Sequence, residues 1–499
     1  MTVQSQVEAR PAAPSRRLSR RALLALGLAG ALAACQRKSQ TPAATAAAIP
    51  PPPPPPPPFR GRDAEMAIEA LKAAADHGFS AKRFRTEHIA ELLNAPDPVQ
   101  QAEGERRLRA TVVDYARAQR GLTVPAGAWP RDWGQKPSSF DAEAELNAAI
   151  RAGKLKEWLA DLPPKTPTYQ ALQTAYVAYL QGEPPPPRPK VTAGPLALGS
   201  QDKATAAFRT RLALDLPELA EIPPETPVDD ALIAALQRYQ TERGLAPSGY
   251  LDDATVAKLN APVLNPVDLL RANLERQRWL PRGEPATRID VNIASAEMNY
   301  FVDGEPVTHM LVAAGKRGDE TPMLTSAIDS LVLNPPWYVP ARIAREEIVP
   351  KGSAYMRARG FVWRDGRLIQ RPGPTAALGR VKFDFPNDYA VYLHDTPSKS
   401  AFNRAQRTVS HGCVRLARAV ELARTLVAQQ PGWSAERLDK VLASGRTTRV
   451  KLDRPVPVRL MYQTAVPQAD QITYLPDVYG WDTQLLGLLD RYEAKKRTT

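Results

Sequence analysis

The stretch Tyr392-Leu393-His394-Asp395-Thr396-Pro397 is followed by Ser410-His411-Gly412-Cys413-Val414-Arg415-Leu416. Only two cysteines, Cys35 and Cys413, and five histidines occur among the 499 residues. Cys413 stands two positions after His411 and nineteen after His394. It has no partner for an internal disulfide, so it can remain a free thiol even in an oxidising compartment. A thiol nucleophile needs a base that makes the thiolate, donors for the oxyanion, and a groove for the acyl group. The cysteine count excludes a disulfide scaffold and any cysteine-rich zinc module. His309, His394 and His411 with one cysteine show no zinc-ligand spacing, so neither a metal nor an organic cofactor is expected.

Outward from this stretch the hydrophobic period is two. Ile289–Ile293, Met310–Ala314 and Val391–Leu393 alternate as strands do, and strand signals return at Thr448–Leu452 and Val458–Gln463. A helix is predicted over Ala417–Gln429. Residues 287–490 thus read as a mostly-β domain, with 491–499 as a tail. Asp395 alternates to the opposite strand face from His394, which argues against its side chain orienting that imidazole. His309 reads as a packed or surface histidine. Pro340–Pro372 is rich in Arg, Gly and charge and lies between strand signals; a stretch of that length inside a compact domain predicts a cap or lid.

Upstream the period is near four. Residues 263–286 contain a connecting helix over Val267–Pro281, rich in Leu and Arg. Residues 196–262 read as three helices over Ala204–Leu212, Asp229–Arg243 and Asp252–Leu259. The middle one begins with capping acids, carries an apolar stripe at Leu232, Leu236 and Tyr239, and stops at Gly244. Residues 63–195 are helical and suggest no chemistry; His77 and His88 read as structural. The expected fold class is multidomain α+β.

The N-terminus carries an arginine cluster, Arg16, Arg17, Arg20 and Arg21, and then thirteen apolar or small residues over Ala22–Ala34. That run is too short to span a bilayer and reads as an export signal over residues 1–34. Ser19-Arg20-Arg21-Ala22-Leu23-Leu24 resembles a twin-arginine signal, and Leu32-Ala33-Ala34-Cys35 resembles a lipobox, which implies lipidation at Cys35. The 35–62 linker includes nine prolines, Pro50–Pro58, enough for a polyproline rod of roughly 28 Å. Lys and Arg outnumber Asp and Glu by 66 to 53, a net charge of +13. Without the first 34 residues (five Arg, one Glu) it is +9. No basic block or aromatic-basic interleaving accompanies this excess, so nucleic acid is not an expected partner. Acidic lipids or cell-wall carboxylates are the more apt counterparts for an exported basic protein.

His394 with Ser410-His411-Gly412-Cys413-Val414-Arg415 resembles the active-site signature of L,D-transpeptidases of the YkuD fold. The upstream segments Asn334-Pro335-Pro336-Trp337-Tyr338-Val339-Pro340, Glu347-Ile348-Val349-Pro350-Lys351, Pro372-Gly373-Pro374 and Ala377-Leu378-Gly379-Arg380-Val381-Lys382-Phe383 resemble its large YcbB-like branch. Gln237-Arg238-Tyr239-Gln240, Gly244-Leu245 and Ser248-Gly249-Tyr250-Leu251-Asp252 resemble a three-helix peptidoglycan-binding domain. Thr321-Pro322-Met323-Leu324-Thr325 departs from the Thr-Pro-Thr/Ser-Gly turn of many short members.

The resemblance implies a thioester on Cys413, release of D-alanine from a tetrapeptide stem, and transfer to an acceptor amine as a 3→3 cross-link. It implies His394 as general base, His411 in an assisting role, and an oxyanion hole from the backbone of Gly412 and Cys413 with the Tyr392 hydroxyl. Arg415 and Ser410 would bind substrate, and Trp337 and Tyr338 would wall the groove. The implied partners are peptidoglycan stem peptides and, through Cys35, a membrane; the implied location is the periplasm or cell envelope. Two alternatives stay open: hydrolysis of the same thioester as an L,D-carboxypeptidase or endopeptidase, and a non-catalytic wall anchor.

Overall fold

A computed structural model describes residues 55–80, 82–182, 188–260, 265–404, 406–468 and 471–498. The export signal and the acylation expected at Cys35 lie outside them. Six helices come first: α1 (Asp63–Lys72), α2 (Thr86–Leu93), α3 (Pro98–Gln119), α4 (Ala142–Ala152), α5 (Leu155–Asp161) and α6 (Pro167–Gln181). Asp97 caps α3 by accepting from the Val99 N–H, with Pro98 in the first turn, where its missing N–H costs nothing. α1–α5 enclose a core that includes Ala67, Leu71, Leu108, Val112 and Leu146. The link between α3 and α4 leaves this cluster. Val124 and Trp133 join the core of the β-sheet described below. The Gln135 N–H donates to Met323 O, and the Met323 N–H to Asp132 O, each at 2.9 Å. Part of the stretch expected to be scaffold is therefore built into the β domain.

The three predicted helices appear within one or two residues as α7 (Lys203–Ala213), α8 (Asp230–Glu242) and α9 (Asp253–Leu259). Asp202, Asp229 and Asp252 cap them, accepting from the Thr205, Leu232 and Thr255 N–H groups. Phe208, Leu212, Leu232, Leu236, Tyr239 and Leu259 form their common core. Gln240, fully buried, donates to Ser248 Oγ, Tyr250 O and Thr255 Oγ1 and accepts from the Gly249 N–H. One side chain thus fixes the loop between α8 and α9. α10 (Pro266–Trp279) follows, buried on nearly every side, including its charged residues Glu275, Arg276 and Arg278.

Nine strands then form one sheet: β1 (Arg288–Asn292), β2 (Glu297–Val302), β3 (Glu305–Gly315), β4 (Leu324–Leu333), β8 (Val381–Asp384), β9 (Leu393–His394), β10 (Thr408–Ser410), β11 (Val414–Leu416) and β12 (Thr448–Met461). The order is β10-β3-β11-β9-β8-β4-β12-β1-β2, and β3 also pairs with β2, so the sheet closes on itself. Closure removes the edges that would otherwise expose unpaired backbone. β12 is one strand with an irregularity between Lys451 and Val456, which explains why its two halves read as separate strands. The inward residues Leu331, Phe383, Leu393, Val414 and Leu460 are fully buried; truncating one such leucine to Ala costs about 2–5 kcal/mol. α13 (Ala419–Val427) and α14 (Ala435–Ala443) follow β11.

Between β4 and β8 lies the 340–372 stretch, which is folded rather than a loop. β5 (Trp337–Tyr338), β6 (Phe361–Arg364) and β7 (Arg367–Gln370) form a small sheet of order β5-β7-β6. α11 (Ala341–Ile343), a π-turn (Ala344–Ile348) and α12 (Gly352–Ala358) cover it. Val339, Ile343, Ile348, Phe361 and Leu368 give this cap its own core. After β12 come the hairpin β13 (Ala465–Gln468) and β14 (Gln471–Tyr474), then α15 (Trp481–Thr498). α15 takes in residues 491–498 of the segment read as a tail. Its Glu493 is buried and pairs with Arg83 at 3.5 Å and Arg271 at 3.2 Å, so the end of the chain ties the helical region to α10. Among the described residues no helix is long and apolar enough to cross a membrane.

Candidate active site

Cys413 sits in the tight connection from β10 to β11. Gly412 has φ +103°, a region L side chains rarely adopt. A Cβ there would meet nothing closer than Glu320 O at 3.5 Å. Backbone conformation, rather than space, requires the glycine. Ser410, expected at the substrate, is buried instead; its hydroxyl donates to Cys413 O at 2.5 Å and accepts from the Gly412 N–H at 3.2 Å. That hydroxyl is committed to the shape of the turn, and the Gly412 N–H with it. Thr321 donates from Oγ1 to Gly412 O at 2.7 Å and accepts from the Gly315 N–H at 2.8 Å. The Tyr479 hydroxyl donates to Gly315 O at 2.6 Å. The segment that departs from the short-member turn therefore holds the nucleophile turn from behind.

The Cys413 thiol is free and partly exposed. Burial pushes its pKa up, against hydrogen bonds from the Tyr392 backbone and hydroxyl and the positive charges of Lys382 and Arg415. The Tyr392 hydroxyl is held protonated, first by burial and then by the adjacent thiol, while the Trp337 side chain donates to it. Trp337, Tyr392 and Cys413 thus form a chain of donors ending at the sulfur. Lys382 stacks its ammonium 4.2 Å from the Tyr392 ring centre and pairs with Asp384 at 2.6 Å.

β11 and β9 run parallel, with Val414 opposite Leu393 and Arg415 opposite His394. This pairing brings the two halves of the motif together. His394 is buried, and burial followed by the Arg415 charge lowers its pKa to about 3, so it is neutral. Its Nδ1 lies 2.5 Å from Asp395 O. A carbonyl can only accept, so Nδ1 carries the proton and Nε2 is the basic nitrogen. The orienting group is the backbone of Asp395. Its carboxylate turns away, as the alternation predicts, to Lys399 Nζ at 2.8 Å and the Arg380 N–H at 2.9 Å. The rings of Tyr392 and His394 meet edge to face at 5.6 Å.

His411 faces the cap: its Nε2 lies 2.6 Å from Glu347 Oε1. Arg342, also in the cap, pairs with Asp319 in the turn before Thr321. Arg415 is half-buried and has no carboxylate partner among the described residues. Tyr338 is 62% exposed, on the far side of Trp337 in the chain. His77 is half-buried beside the Tyr169 hydroxyl at 2.9 Å and His88 pairs with Glu91, both far in sequence from the thiol and within the helical region. Among the described residues no cluster of three or more His, Cys, Asp or Glu is suited to a metal. Reading the sequence gave no role to Lys382, Thr321 or Glu347. The first lay in plain view in a segment quoted for the resemblance; the other two act through hydrogen bonds to distant segments that the fold brings together.

Residues 286–451 match the family model of the L,D-transpeptidase catalytic domain, YkuD, and residues 60–175 match that of a Scaffold domain. A Haemophilus influenzae protein described as an inferred L,D-transpeptidase is 33% identical over 239 residues, covering 43% of this chain; the chain spans 48% of that protein's length. Among solved structures, the L,D-transpeptidase from Mycobacterium smegmatis is 16% identical over 35% of this chain and 58% of its own, with a TM-score of 0.21. The catalytic domain of the E. faecium L,D-transpeptidase, acylated by ertapenem, is 13% identical over 36% of this chain and 99% of its own, with a TM-score of 0.20. These structural likenesses are slight, and the family assignment rests on the sequence models. The closed β domain with its cysteine turn is the part of the chain that matches the L,D-transpeptidase catalytic domain of the YkuD family.

Proposed function

We propose that this chain is a cysteine-dependent L,D-transpeptidase that forms 3→3 cross-links between peptidoglycan stems. The observation that carries the reading is the company of the one free thiol. A protonated Tyr392 hydroxyl and the charges of Lys382 and Arg415 act on Cys413, and the pairing of β9 with β11 sets the neutral His394, its tautomer fixed by Asp395 O, opposite Arg415 two residues along. As Cys413 Sγ attacks the carbonyl joining stem residues three and four, His394 Nε2 takes the thiol proton and a C–S bond forms. The Tyr392 hydroxyl and the Cys413 N–H donate to the developing oxyanion. Collapse breaks the C–N bond, and the imidazolium returns the proton to the departing D-alanine amine. An acceptor amine then attacks the thioester, loses its proton to His394, forms the new amide and expels the thiolate. Arg415, without an internal carboxylate, is suited to a stem carboxylate.

The cap would cover the acyl chain and limit water at the thioester. Its links to the site, Glu347 to His411 and Arg342 to Asp319, support a lid that seats on the nucleophile turn. The 196–262 module would hold peptidoglycan, and Cys35 would carry the lipid that keeps the protein in the cell envelope. The test is incubation of the protein and of Cys413→Ala with disaccharide-tetrapeptide muropeptides, read by mass spectrometry. Cys413-dependent dimers lacking one D-alanine are expected. Tripeptide monomers alone would replace cross-linking by hydrolysis, and retained activity in Cys413→Ala would sink the mechanism.

A further inference from the structure

A 990 Å³ cavity opens between the three-helix module and the β domain, and Cys413 is not among the residues that line it. Arg243 and Lys258 line one wall; Arg317, Arg404 and Arg407 line the other. Its carboxylates are Glu242, Glu297 and Asp477. Asp477 is turned into the fold, accepting from the Tyr462 hydroxyl and the Trp481 and Asp482 N–H groups at 2.7–3.0 Å. Glu297 faces His309 at 3.9 Å. On the basic side only Arg243 has a carboxylate, Asp215 at 3.4 Å, while Lys258, Arg317, Arg404 and Arg407 have none among the described residues. Arg407 is set rigidly into the wall. Its guanidinium donates to the carbonyls of Arg404, Ser295 and Ala296 at 3.2, 2.7 and 3.5 Å, and its buried Nε has no partner. Carbonyl oxygens orient the cation but do not neutralise it. An unneutralised, positioned guanidinium in a concave wall is a recognition element for a carboxylate.

We infer that this cleft is a second binding site, for a stretch of cell-wall polymer bearing several carboxylates, held between the module and the catalytic domain. The inference rests on the transpeptidase reading, which supplies a substrate whose stem peptides carry such groups. The cavity is at the upper end of small-molecule sites and has two basic walls, which suits an extended anion better than a single small one. The site would anchor the wall while chemistry proceeds at Cys413.

The experiment compares the full exported chain with Lys258→Glu/Arg404→Glu, one reversal on each wall, and with Arg407→Gln as a milder change. Retention on purified sacculi, co-sedimentation with phosphatidylglycerol vesicles, and turnover of soluble muropeptides are measured for each, with thermal melting as the folding check. The expected result is a loss of sacculus retention of about fivefold or more in the double reversal, and a smaller loss in Arg407→Gln. The wild-type interaction should weaken in about 0.5 M salt, with soluble turnover unchanged. Unchanged retention in both variants, no retention of the wild type, or loss confined to the acidic vesicles would overturn the cleft. Failure of the wild type to turn over soluble muropeptides would instead overturn the transpeptidase reading, so the two failures are distinct.

Discussion

The turn that carries Cys413 and the 340–372 segment linked to it are held by different physics. The turn is fixed by buried, neutral hydrogen bonds: Thr321 to Gly412 O, Ser410 to Cys413 O and Tyr479 to Gly315 O. Removing one partner leaves a buried polar group unmatched, which costs far more than the bond contributes. The cap has a small core of its own and reaches the turn through the His411–Glu347 hydrogen bond and the Arg342–Asp319 ion pair, whose side chains are partly exposed, 24% and 38% for His411 and Glu347 and 49% and 12% for Arg342 and Asp319. Water screens such pairs and competes for their atoms. The lid proposed for 340–372 is thus the half of the site joined to the turn by the weaker links.

The sharpest way to break this contrast is Thr321→Val. It keeps the shape of the side chain but strands Gly412 O and the Gly315 N–H. The expected outcome is a loss of about 1–3 kcal/mol in stability and a fall of about 10–100-fold in kcat from displacement of the thiol, read by denaturant melts and muropeptide turnover. Near wild-type values for both would mean the turn is shaped elsewhere.

A second test uses pH. His394 has its folded pKa below the ordinary 6.5, at about 3. As pH falls, the unfolded chain therefore takes up the proton first. The folded state keeps its full stability above about 6.5 and loses it progressively toward 3. His394→Asn should flatten stability against pH in that window by up to about 1.4 kcal/mol per pH unit. A slope that this substitution leaves unchanged would mean the imidazole is not held neutral.

The cap pairs should behave in the opposite manner. Glu347→Gln or Arg342→Ala is expected to change global stability by less than about 1 kcal/mol. Each should nevertheless raise the rate at which a bulky maleimide reaches Cys413 by about two- to fivefold, a small iodoacetamide much less so. A destabilisation as large as that of Thr321→Val would erase the distinction between the two halves. Smallest of all is the charge exchange: Arg342→Asp with Asp319→Arg should bring maleimide access back toward the wild-type rate, while either change alone raises it. Failure of the exchange to restore would show that geometry rather than charge seats the cap.

Much of the site was legible before any fold was known. Cys413 stood out as the one unpaired cysteine beyond the N-terminus, and its two histidines lay at readable distances. What the strand pattern could not supply was the partner of each group. His394 is oriented by a backbone carbonyl, and carbonyls have no sequence signature. Ser410 looked like a substrate contact because it borders the motif, yet its hydroxyl closes the turn. The 340–372 stretch looked like a loop because its helices and strands are too short to show a period. It folds because β5, β6 and β7 bring Val339, Phe361 and Leu368 together.

The sequence by itself determined the elements with strong local causes. The three capped helices α7–α9 came out almost to the residue, because an aspartate cap and an apolar stripe act within a few residues of chain. The free thiol and the two histidines near it in sequence were likewise readable from residue type. Tertiary structure alone decided where charge could be buried. α10 has a polar, Arg-rich sequence, yet Arg278 is buried against Glu275 at 2.8 Å and Arg276 against Asp482 of the distant α15. A buried charge is tolerable only when its counterion arrives with it, and that counterion comes from chain some two hundred residues away. The same holds at the turn of Cys413: Tyr392 and Lys382 at the thiol, Thr321 at Gly412 and Glu347 at His411 are assembled by strand pairing and packing, which act between segments that local pattern cannot connect.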